Sequence, residues 1–532
     1  MLRWAAVAVR PKRQARALHA LAPSLSKLVH DAEASAKKDA ALDQPVKADA
    51  WIATMRRQKT RTFLELTDGT MGGGATLQAM LTGDAPGIAP GIAVHLQGRM
   101  KAGRGKKQSQ QVEMHVDAYD ILAESELATY PLAHLMHRAE SGDAVHAQAA
   151  DIVRRESHFK ARTAHYGALS RTRARMERAM DAWFAKEDFT KMYPPILTSS
   201  DCEGGGEIFR VVSDTDVNPA KATTPESLTA FWSGSGAYLS VSAQLHLEAY
   251  ALGLSRVYCL CPAFRAEGSA TNRHLAEFWM MEAELCWVPR GPQGLEMVMQ
   301  GLEDTTKAMV RAAIGLDGSD RQAERAKHDM DLLLNDDSAA VLHKQAGLDT
   351  QWPRITYTDA VAKLRAHAAQ EPGAFEEEAV WGHSLRSEHE RWLAAEAGTP
   401  LFVTDYPTGL KPFYMRKNET PVRLTDALAP GCDGKEAVTV ACFDLLVPQI
   451  GELAGGSLRE EREDVLRARI QEHGMDPDAS SFAWYTKDLR RYGGAPHGGY
   501  GLGMERLLSW VTHIDNVRDI VGFPRVKGPL RY

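Results

Sequence analysis

The sequence predicts an α+β fold in which a small five-stranded β-barrel of the OB type precedes a larger domain with a mostly antiparallel sheet flanked by helices. Two observations support this prediction. Short segments of alternating hydrophobicity, separated by turns that contain Gly and Asp, occupy the first quarter of the chain at the spacing of a small barrel. Further along, strand-like and helix-like segments are segregated instead of strictly alternating, which is typical of α+β proteins.

Length and composition are those of an ordinary globular chain. The 532 residues allow two or more packing units, and the 44% hydrophobic and 25% charged fractions argue against disorder, collagen-like repeats and coiled coil. No apolar run approaches the roughly 18 residues that a membrane crossing needs, so we expect no membrane span. The six cysteines show neither a disulfide framework nor a zinc spacing.

The beginning of the chain is basic and predicts a targeting segment. Six Lys and Arg precede the first acid, Asp31, and no apolar core of a secretory signal is present. Residues 1–30 are therefore predicted to be an organelle transit peptide, with a disordered basic tail as the alternative, and residues 31–47 a linker. An Arg-rich, acid-poor presequence favours the mitochondrial matrix, although plastid or dual targeting fits the same composition. Since the whole chain has a net charge of −6, the remainder is acidic, and any nucleic-acid site must be a local basic patch.

Residues 48–125 are predicted to form the barrel, and residues 126–156 a hinge. The expected strands are 51–53, 62–66, 76–81, 92–98 and 111–116. Basic residues cluster around the presumed face of the barrel. They are Arg56, Arg57, Lys59, Arg61, Lys101, Arg104, Lys106 and Lys107. Either a nucleic-acid surface or solvated loop charge accounts for this cluster.

The larger domain is predicted over 157–532. A long helix over 157–189 would place Met176, Met180, Trp183 and Phe184 on one face, and it ends before the prolines that follow. Strands are expected near 238–241, 257–260 and 278–288, then at 401–404, 413–415 and 438–446. The segments between about 290 and 400 indicate helices inserted into this domain.

Two dense polar runs have the composition of a nucleotide site. The first is a predicted hairpin with the charged and aromatic residues Arg265, Glu267, Arg273, His274 and Phe278. Such a set is suited to a bent polyphosphate and a stacked purine. In the second run, residues 496–507, four glycines allow close backbone approach to a ligand before Arg506 opens a helix. Taken alone, either run fits an ordinary turn or a solvated hairpin.

Together the two runs resemble motifs 2 and 3 of the class II aminoacyl-tRNA synthetases, fRxE…rHxxEF and GxGxGxER in outline. Pro195, after the long amphipathic helix, is similar to motif 1, the dimer-forming element of that class. With an OB barrel in front, the order resembles the subgroup that handles Asp, Asn and Lys. The resemblance covers roughly 49–532 and implies ATP as a substrate, Mg²⁺ as a cofactor and a homodimer.

Longer strings around the expected amino-acid pocket resemble asparaginyl-tRNA synthetases. They are residues 200–209, 239–245, 404–407, 411–415 and 451–460. Aspartate enzymes are expected to have Ser-Pro-Gln-x-x-Lys, and the position of that lysine is Leu247 here. A carboxylate buried without a cation is strongly disfavoured, whereas a neutral carboxamide needs only a donor and an acceptor. The resemblance therefore implies activation of L-asparagine with ATP and transfer to tRNA(Asn) in organellar translation.

Three alternatives remain at this point. The nearest is an aspartate enzyme, which Leu247 disfavours. A non-catalytic RNA-binding paralogue would be free to lose its charged site residues, which are present. An asparagine synthetase on the same catalytic fold would have little use for the barrel.

The resemblance also implies roles in the amino-acid pocket. Arg459 would donate to the amide oxygen of the substrate, and a glutamate would accept from the amide nitrogen. Glu277 and Glu248 are both candidates for that glutamate; Glu277 is favoured because it lies in the motif 2 hairpin, and the alternative for Glu248 is an exposed helix carboxylate. Glu203 and Gln244 would hold the substrate ammonium.

For ATP, the resemblance implies a catalytic pair of arginines and several binding residues. Arg265 would contact the α-phosphate and Arg506 the adenine or the γ-phosphate. The other implied ATP contacts are Glu267 near the adenine amino group, Arg273 and His274 towards the outer phosphates, Phe278 stacked on the base, and Glu452. Hard oxygen ligands for Mg²⁺ would be Asp444 and Glu452, with Ser457 as a weaker third.

In the barrel, Phe63 and Gln78 fall where anticodon domains of this subgroup have a stacking aromatic and a uracil-reading amide. An aromatic platform beside hydrogen bonds to a base edge is the usual way to read unstacked loop bases. A core Phe and a strand-edge Gln are the alternatives. The resemblance thus predicts an anticodon site on the barrel.

Overall fold

The structure is a computed structural model of the full chain. It describes residues 22–37, 42–83, 85–103, 111–132, 152–199, 208–213, 231–232, 236–268, 273–334, 338–479 and 481–532. The chain divides into two compact units, Met1–Ile152 and Val153–Tyr532. Among the described helices, none has both the length and the apolar character needed to cross a membrane.

The first unit contains a closed barrel of five strands. They are β1 (Pro45–Gln58), β2 (Arg61–Thr67), β3 (Leu77–Thr82), β4 (Ala93–Ala102) and β5 (Val112–Ala123). Their order around the barrel is β1-β2-β3-β5-β4, with β3 and β5 parallel. Alternate side chains such as Leu64, Leu66 and Leu77 are fully buried inside, as the period-two pattern predicts. The predicted five-stranded barrel is confirmed.

A helix, α1 (Leu25–Lys37), packs on this barrel. Leu25, Val29 and Ala32 are buried in the barrel core, and their spacing of four and three residues places them on one helix face. The backbone N–H of Leu25 donates to Asp68 Oδ2 at 2.8 Å, which satisfies one of the first amides of the helix. The predicted boundaries at residues 30 and 47 therefore fall inside α1 and β1, because a basic, Ala-rich composition conceals an amphipathic helix.

Replacement of Leu25 with alanine tests this packing. We expect the free energy of unfolding to fall by about 3 kcal/mol, because a fully buried leucine leaves a cavity when it is truncated. Chemical denaturation of the full chain measures the change. Lys27→Ala, on the exposed side of the same helix, is the matched control, and equal stability of the two variants would contradict the packing of α1 on the barrel.

The second unit is built on an eight-stranded sheet. Its strands are β6 (Thr190–Lys191), β9 (Arg256–Phe264), β10 (Glu277–Cys286), β11 (Arg354–Thr356), β12 (Leu401–Thr404), β15 (Cys442–Val447), β16 (Gly451–Leu458) and β17 (His497–Gly503). Two short pairs lie outside it, β7 (Leu197–Thr198) with β8 (Tyr238–Leu239), and β13 (Val422–Arg423) with β14 (Glu436–Ala437). The sheet order is β11-β12-β15-β16-β17-β10-β9-β6, and its pairs are antiparallel except β11–β12 and β6–β9. This agrees with the predicted α+β class.

Helices cover both faces of the sheet. They are α2 (Ala164–Lys186), α3 (Gln244–Leu254), α4 (Pro292–Ala313), α5 (Asp320–Leu334), α6 (Ser338–Gln345), α7 (Tyr357–Gln370), α8 (Ser387–Ala397), α9 (Glu463–Glu472), α10 (Leu489–Arg491), α11 (Met504–Thr512) and α12 (Val517–Ile520). The predicted helix over 157–189 is a 3₁₀ turn, Ser157–Arg162, followed by α2, because the Thr163 hydroxyl caps a new helix start by accepting from the Tyr166 amide. Met176, Met180 and Phe184 are buried against the sheet.

The two faces of β10 separate the core from a cavity. Met281 and Ala283 point into the core with residues of α2 and α4. Because successive side chains of a strand alternate, Phe278, Met280, Glu282 and Glu284 point to the other face. That face opens into the site described next.

Candidate active site

A cavity of about 350 Å³ lies on the open face of the sheet. Strands β10, β16 and β17 form its floor, and the glycines Gly455, Gly456, Gly501 and Gly503 lie along it. With no side chains there, a ligand can lie directly on the backbone. The charged side chains around the cavity divide into two groups, one at each end.

One end contains the residues of the predicted hairpin. Arg265, Glu267, Arg273, His274 and Phe278 all line the cavity. The Arg265 guanidinium lies 5.5 Å from the ring centre of Phe278, and His274 Nε2 lies 3.2 Å from Glu267 Oε2. Arg273 donates to the carbonyl of Ile450 at 2.8 Å, which holds its charge beside the β15–β16 turn. The structure thus brings these five side chains together.

Arg506 reaches the same end from the first turn of α11. Its Nη1 donates to the carbonyl of Glu452 at 3.0 Å and lies 3.8 Å from a Glu452 carboxylate oxygen. Asp444 lies nearby on β15, where both of its oxygens accept from Lys411 Nζ at 2.6 Å. Burial raises the pKa of Asp444, although the Lys411 ammonium favours its ionised form. This end therefore combines three arginines with the three carboxylates of Glu267, Asp444 and Glu452.

A further carboxylate, which sequence reasoning missed, comes from the inserted helices. Glu390 on α8 accepts from the backbone N–H of Glu452 at 3.2 Å. Burial and the neighbouring Glu452 carboxylate raise the pKa of Glu390 to about 8. A Cβ at Gly451, where φ is +87°, would lie 2.7 Å from Glu390 Oε2, so the glycine leaves room for this contact. The insert thus supports the turn that presents Glu452.

Two of the three predicted metal ligands fit a magnesium ion. A Cβ at Gly455 would lie 3.4 Å from Asp444 Oδ1 and 4.0 Å from Glu452 Oε1, so both oxygens border one open space. Two carboxylates beside substrate phosphates are the donor set that Mg²⁺ prefers. Ser457 does not fit, because its hydroxyl is fully buried and accepts from Arg459 Nη1 at 2.7 Å. In the described part of the chain, no three His, Cys, Asp or Glu side chains form a metal cluster.

A buried ion pair forms the other end of the cavity. The Arg459 Nε donates to Glu284 Oε1 at 3.1 Å, and its Nη2 donates to the same carboxylate oxygen. Both side chains line the cavity and are at most 4% exposed. Burial raises the pKa of Glu284 to about 7, although Arg459 favours the carboxylate. An acceptor and a donor therefore lie side by side at this end of the cavity.

The two predicted acceptor glutamates lie elsewhere. Glu277 begins β10 opposite Phe264 and is not among the described residues that line the cavity, because strand alternation turns odd-numbered side chains of β10 away from it. Glu284, which sequence reasoning missed, is on the facing side of the same strand. Glu284 follows Glu277 by seven residues, and side chains an odd number of residues apart in a strand lie on opposite faces. This spacing was the signal that could have identified Glu284.

The alternative for Glu248, an exposed helix carboxylate, is wrong, because Glu248 is fully buried behind the cavity. It accepts from Gln244 Nε2 at 3.0 Å, from the Tyr485 hydroxyl at 2.8 Å and from Arg490 Nη2 at 2.9 Å. Burial opposes its ionisation, but the hydrogen bond with His497 and the charge of Arg490 outweigh burial and lower its pKa. Glu248 is thus a structural carboxylate that holds Gln244.

Of the predicted ammonium-binding pair, only Gln244 can be placed. It lines the cavity from the first turn of α3, whereas Glu203 lies outside the described residues. Leu247, at the position expected for lysine in an aspartate enzyme, is fully buried in an apolar cluster with Ala251 and Val257. At that position, α3 presents an apolar side chain to the core.

On the barrel, Phe63 and Gln78 share the outer face of neighbouring strands. Phe63 pairs with Met80, and Glu65 pairs with Gln78, so the two residues are diagonal neighbours. The Arg56 guanidinium lies 5.2 Å from the Phe63 ring, and Gln78 Nε2 donates to Glu113 at 2.8 Å. Phe63 is therefore not a core residue. Of the predicted basic cluster, Arg104, Lys106 and Lys107 lie outside the described residues.

Replacing Gly499 with alanine tests the geometry of the buried ion pair. A Cβ there would lie 2.2 Å from Glu284 Oε1 and 2.4 Å from the carbonyl of Ala283, so the carboxylate must move. We expect the affinity for L-asparagine, the substrate that the resemblance implies, to fall about 10- to 100-fold, since misplaced polar groups lose binding. Titration of the purified variant measures this, with Gly253→Ala, where a Cβ meets nothing within 4 Å, as the control. Unchanged affinity would contradict the placement of Glu284.

Comparison with known proteins places the chain in a family. Residues 149–527 match the family model of tRNA synthetases class II (D, K and N). Since this match spans more than half of the chain, the chain belongs to the class II tRNA synthetases.

Similar proteins show to which group of class II tRNA synthetases the chain belongs. An asparagine–tRNA ligase of Rhodopirellula baltica is 37% identical over 500 residues, which are 92% of this chain and 91% of that protein. A chloroplastic/mitochondrial asparagine–tRNA ligase of Arabidopsis thaliana is 36% identical over 89% of this chain and 78% of its own length. The chain therefore belongs to the asparagine–tRNA ligase family, and its enzyme class is that of a ligase.

A solved structure shows the same fold. Asparaginyl-tRNA synthetase from Pyrococcus horikoshii, complexed with asparaginyl-adenylate, has a TM-score of 0.70 and 30% sequence identity. The match covers 92% of this chain and 96% of that chain. It therefore includes both the barrel and the sheet.

Proposed function

We propose that the protein activates L-asparagine with ATP to form asparaginyl-adenylate and transfers the asparaginyl group to tRNA(Asn), with release of diphosphate and then AMP. The observation that supports this most is the division of one cavity into an arginine-rich end and an end made by Glu284 and Arg459. The first end suits a triphosphate and the second a carboxamide. A ligand that spans both ends has the chemistry of an aminoacyl-adenylate.

At the phosphate end, catalysis is positioning and charge stabilisation. The substrate carboxylate attacks the α-phosphorus of ATP in line, and no side-chain nucleophile is needed. Arg265 neutralises the charge that develops on the α-phosphate, and Arg506 that on the outer phosphates. Phe278 stacks on the adenine, while Glu267, Arg273 and His274 complete the ATP contacts.

Mg²⁺ is the cofactor that this end would hold. Asp444 and Glu452 would be its ligands, and Glu390 would keep Glu452 in place through the backbone contact at 3.2 Å. When bound there, Mg²⁺ would supply Lewis-acid stabilisation of the negative charge on the nucleotide phosphates. Lys411 Nζ lies 2.6 Å from Asp444 Oδ2 and balances the negative charge of that carboxylate.

At the other end of the cavity, the Glu284–Arg459 ion pair recognises the side-chain amide of asparagine. The Glu284 carboxylate accepts from the amide nitrogen and Arg459 donates to the amide oxygen. An aspartate carboxylate would instead meet the negative charge of Glu284, with Arg459 already neutralised and no lysine at the position of Leu247. Gln244, held by Glu248 at 3.0 Å, and Glu203 would bind the substrate ammonium.

The barrel would bind the anticodon of tRNA(Asn). Phe63 offers a half-exposed ring beside Arg56, and Gln78 offers an amide on the same outer face. Stacking on an aromatic ring together with an amide contact to a base edge suits the central uracil of an asparagine anticodon.

The protein would act as a homodimer in an organelle. Tyr193, 81% exposed, and the exposed Ile196 and Leu197 form an apolar edge just after α2, and such edges are typical of subunit interfaces. The basic first residues and the 36% identity to the chloroplastic/mitochondrial relative support an organellar location, for which the mitochondrial matrix remains our preferred compartment.

Aminoacylation of a tRNA(Asn) transcript by the full chain tests the proposal. We expect charging with asparagine and none with aspartate. Charging with aspartate at a similar rate would move the assignment to the sister enzyme, and a chain that binds the tRNA without charging it would indicate a non-catalytic paralogue.

A further inference from the structure

The last residues of the chain fold back onto the segment that begins the second unit. Arg154 Nη2 lies 2.6 Å from Asp519 Oδ2, and Lys160 Nζ donates to the carbonyls of Arg518 and Val521 at 2.7 Å. These contacts join residues more than 350 positions apart. Segments 153–162 and 516–532 therefore form one continuous surface.

This surface is strongly basic in an acidic protein. Its two segments contain eight Lys and Arg against two acids, whereas the whole chain has a net charge of −6. Lys160 is buried and Arg154 pairs with Asp519, so these two cations serve the fold. Six cations remain, and one of them, Arg518, is half-buried. We define the terminal basic surface as the exposed Arg155, Arg162, Lys527 and Arg531 together with the half-buried Arg525.

Aromatic rings lie among these cations. Tyr532 is 57% exposed and Phe523 is 46% exposed, with their ring centres 5.5 Å apart. The His158 ring lies 5.3 Å from Tyr532 and 4.1 Å from Phe159. Cationic side chains that track a backbone, beside aromatic rings that stack with bases, are the combination that unpaired nucleic acid requires.

The terminal basic surface adjoins the hairpin that lines the cavity. The carbonyl of Arg525 accepts from the backbone N–H of Ala276 at 2.7 Å, and Lys527 Nζ donates to the carbonyl of Gly268 at 3.1 Å. Val517, at the start of the same C-terminal segment, lines the cavity itself. RNA bound on this surface would therefore end beside the arginine-rich half of the cavity.

We propose that the terminal basic surface binds the acceptor end of tRNA, with its cations on the phosphodiester backbone and Tyr532 stacked on an unpaired base. The inference rests on the proposed function, because that function requires the unpaired end of the tRNA to enter this cavity. It adds a binding surface outside both the barrel and the nucleotide site.

The test removes three exposed cations together, in the variant Arg155→Ala, Lys527→Ala, Arg531→Ala. We expect KM for tRNA(Asn) in aminoacylation to rise about 10- to 100-fold and the dependence of log KM on log salt to become shallower by about 2, because each lost phosphate contact removes about 0.7–0.9 from the slope. Asparagine-dependent ATP–pyrophosphate exchange, which needs no tRNA, should remain at the level of the parent protein.

A charge-matched variant separates this surface from net charge alone. Lys344→Ala, Lys363→Ala, Lys435→Ala removes three exposed lysines elsewhere in the same unit, and it should leave KM for tRNA unchanged. If both triple variants weakened tRNA equally, or if neither did, the surface would have no specific role. If the parent protein itself failed in exchange, the proposed function would be at fault, and a tRNA-binding measurement on the same variants would still decide this inference.

The stacking step has its own variant. Tyr532→Ala should weaken binding of intact tRNA(Asn) about 10-fold, as expected for one lost base stack, but should not change binding of a transcript that lacks the four unpaired 3′ nucleotides. Equal losses with both transcripts would contradict the placement of an unpaired base on Tyr532. The thermal unfolding midpoint of each variant confirms that the protein remains folded.

Discussion

Replacing Glu284 with glutamine is expected to lower kcat/KM for asparagine in ATP–pyrophosphate exchange about 100- to 1000-fold. The variant loses a charged acceptor, worth about 1.5–3 kcal/mol per hydrogen bond, and leaves the buried Arg459 without its counter-charge. Both side chains are at most 4% exposed, so water cannot replace the lost contact. The effect should be largest on KM for asparagine, since KM for ATP depends on the other end of the cavity.

The matched control for this variant is Glu277→Gln. Glu277 lies on the same strand, but it points away from the cavity, so the control should leave asparagine kinetics unchanged. Equal losses in the two variants, or a loss only in Glu277→Gln, would contradict the assignment of the amide acceptor.

The pH dependence of kcat/KM for asparagine provides a second test of the role of Glu284. With the pKa of Glu284 raised to about 7 by burial, the carboxylate is progressively protonated as the pH falls below that value and can no longer accept from the amide on both oxygens. We therefore expect kcat/KM for asparagine in the parent protein to decrease on the acid side of neutrality, and this decrease should be absent in Glu284→Gln. An acid limb that persists in the variant would belong to another group.

Replacing Arg265 with alanine should have the other large effect. We expect a loss of about 1000-fold or more in kcat for pyrophosphate exchange, because a preorganised cation at the reacting phosphate stabilises charge that develops only in the transition state. Arg265 is well suited to this role, since its guanidinium lies 5.5 Å from the Phe278 ring at the edge of the cavity. Asparagine affinity, measured by titration without ATP, should stay near that of the parent protein.

Two further variants control for charge and for folding. Arg265→Lys keeps the charge without the planar fork, and we expect it to recover only part of the rate. Arg256→Ala, at the exposed start of β9, the strand that Arg265 directly follows, removes a side chain that donates to the carbonyl of Glu187 at 2.8 Å, and it should retain full exchange. A normal rate in Arg265→Ala would exclude Arg265 from the reaction.

Local sequence predicted the parts of this protein that are encoded within a few residues. The period-two segments and their turns predicted the closed barrel, and the hairpin string predicted that Arg265, Glu267, Arg273, His274 and Phe278 come together. These features depend on strand alternation and short loops, which a single sequence displays directly.

Contacts between distant segments could not be predicted from the sequence alone. Glu390 meets Glu452 across 62 residues, and Glu248 meets Arg490 across 242. The sequence shows that Ser457 has an oxygen that could bind a metal ion, but not that this hydroxyl accepts from Arg459. The sequence favours Glu277 over Glu248 and misses Glu284, because proximity in a motif carries no information on which face of the strand a side chain occupies.

The most direct test of the central claim is ATP–pyrophosphate exchange by the full chain, with asparagine and aspartate supplied separately. The account predicts exchange with asparagine alone, because the Glu284–Arg459 pair accepts an amide and rejects a second carboxylate. Exchange with aspartate at a comparable rate, or no exchange with either amino acid, would contradict it.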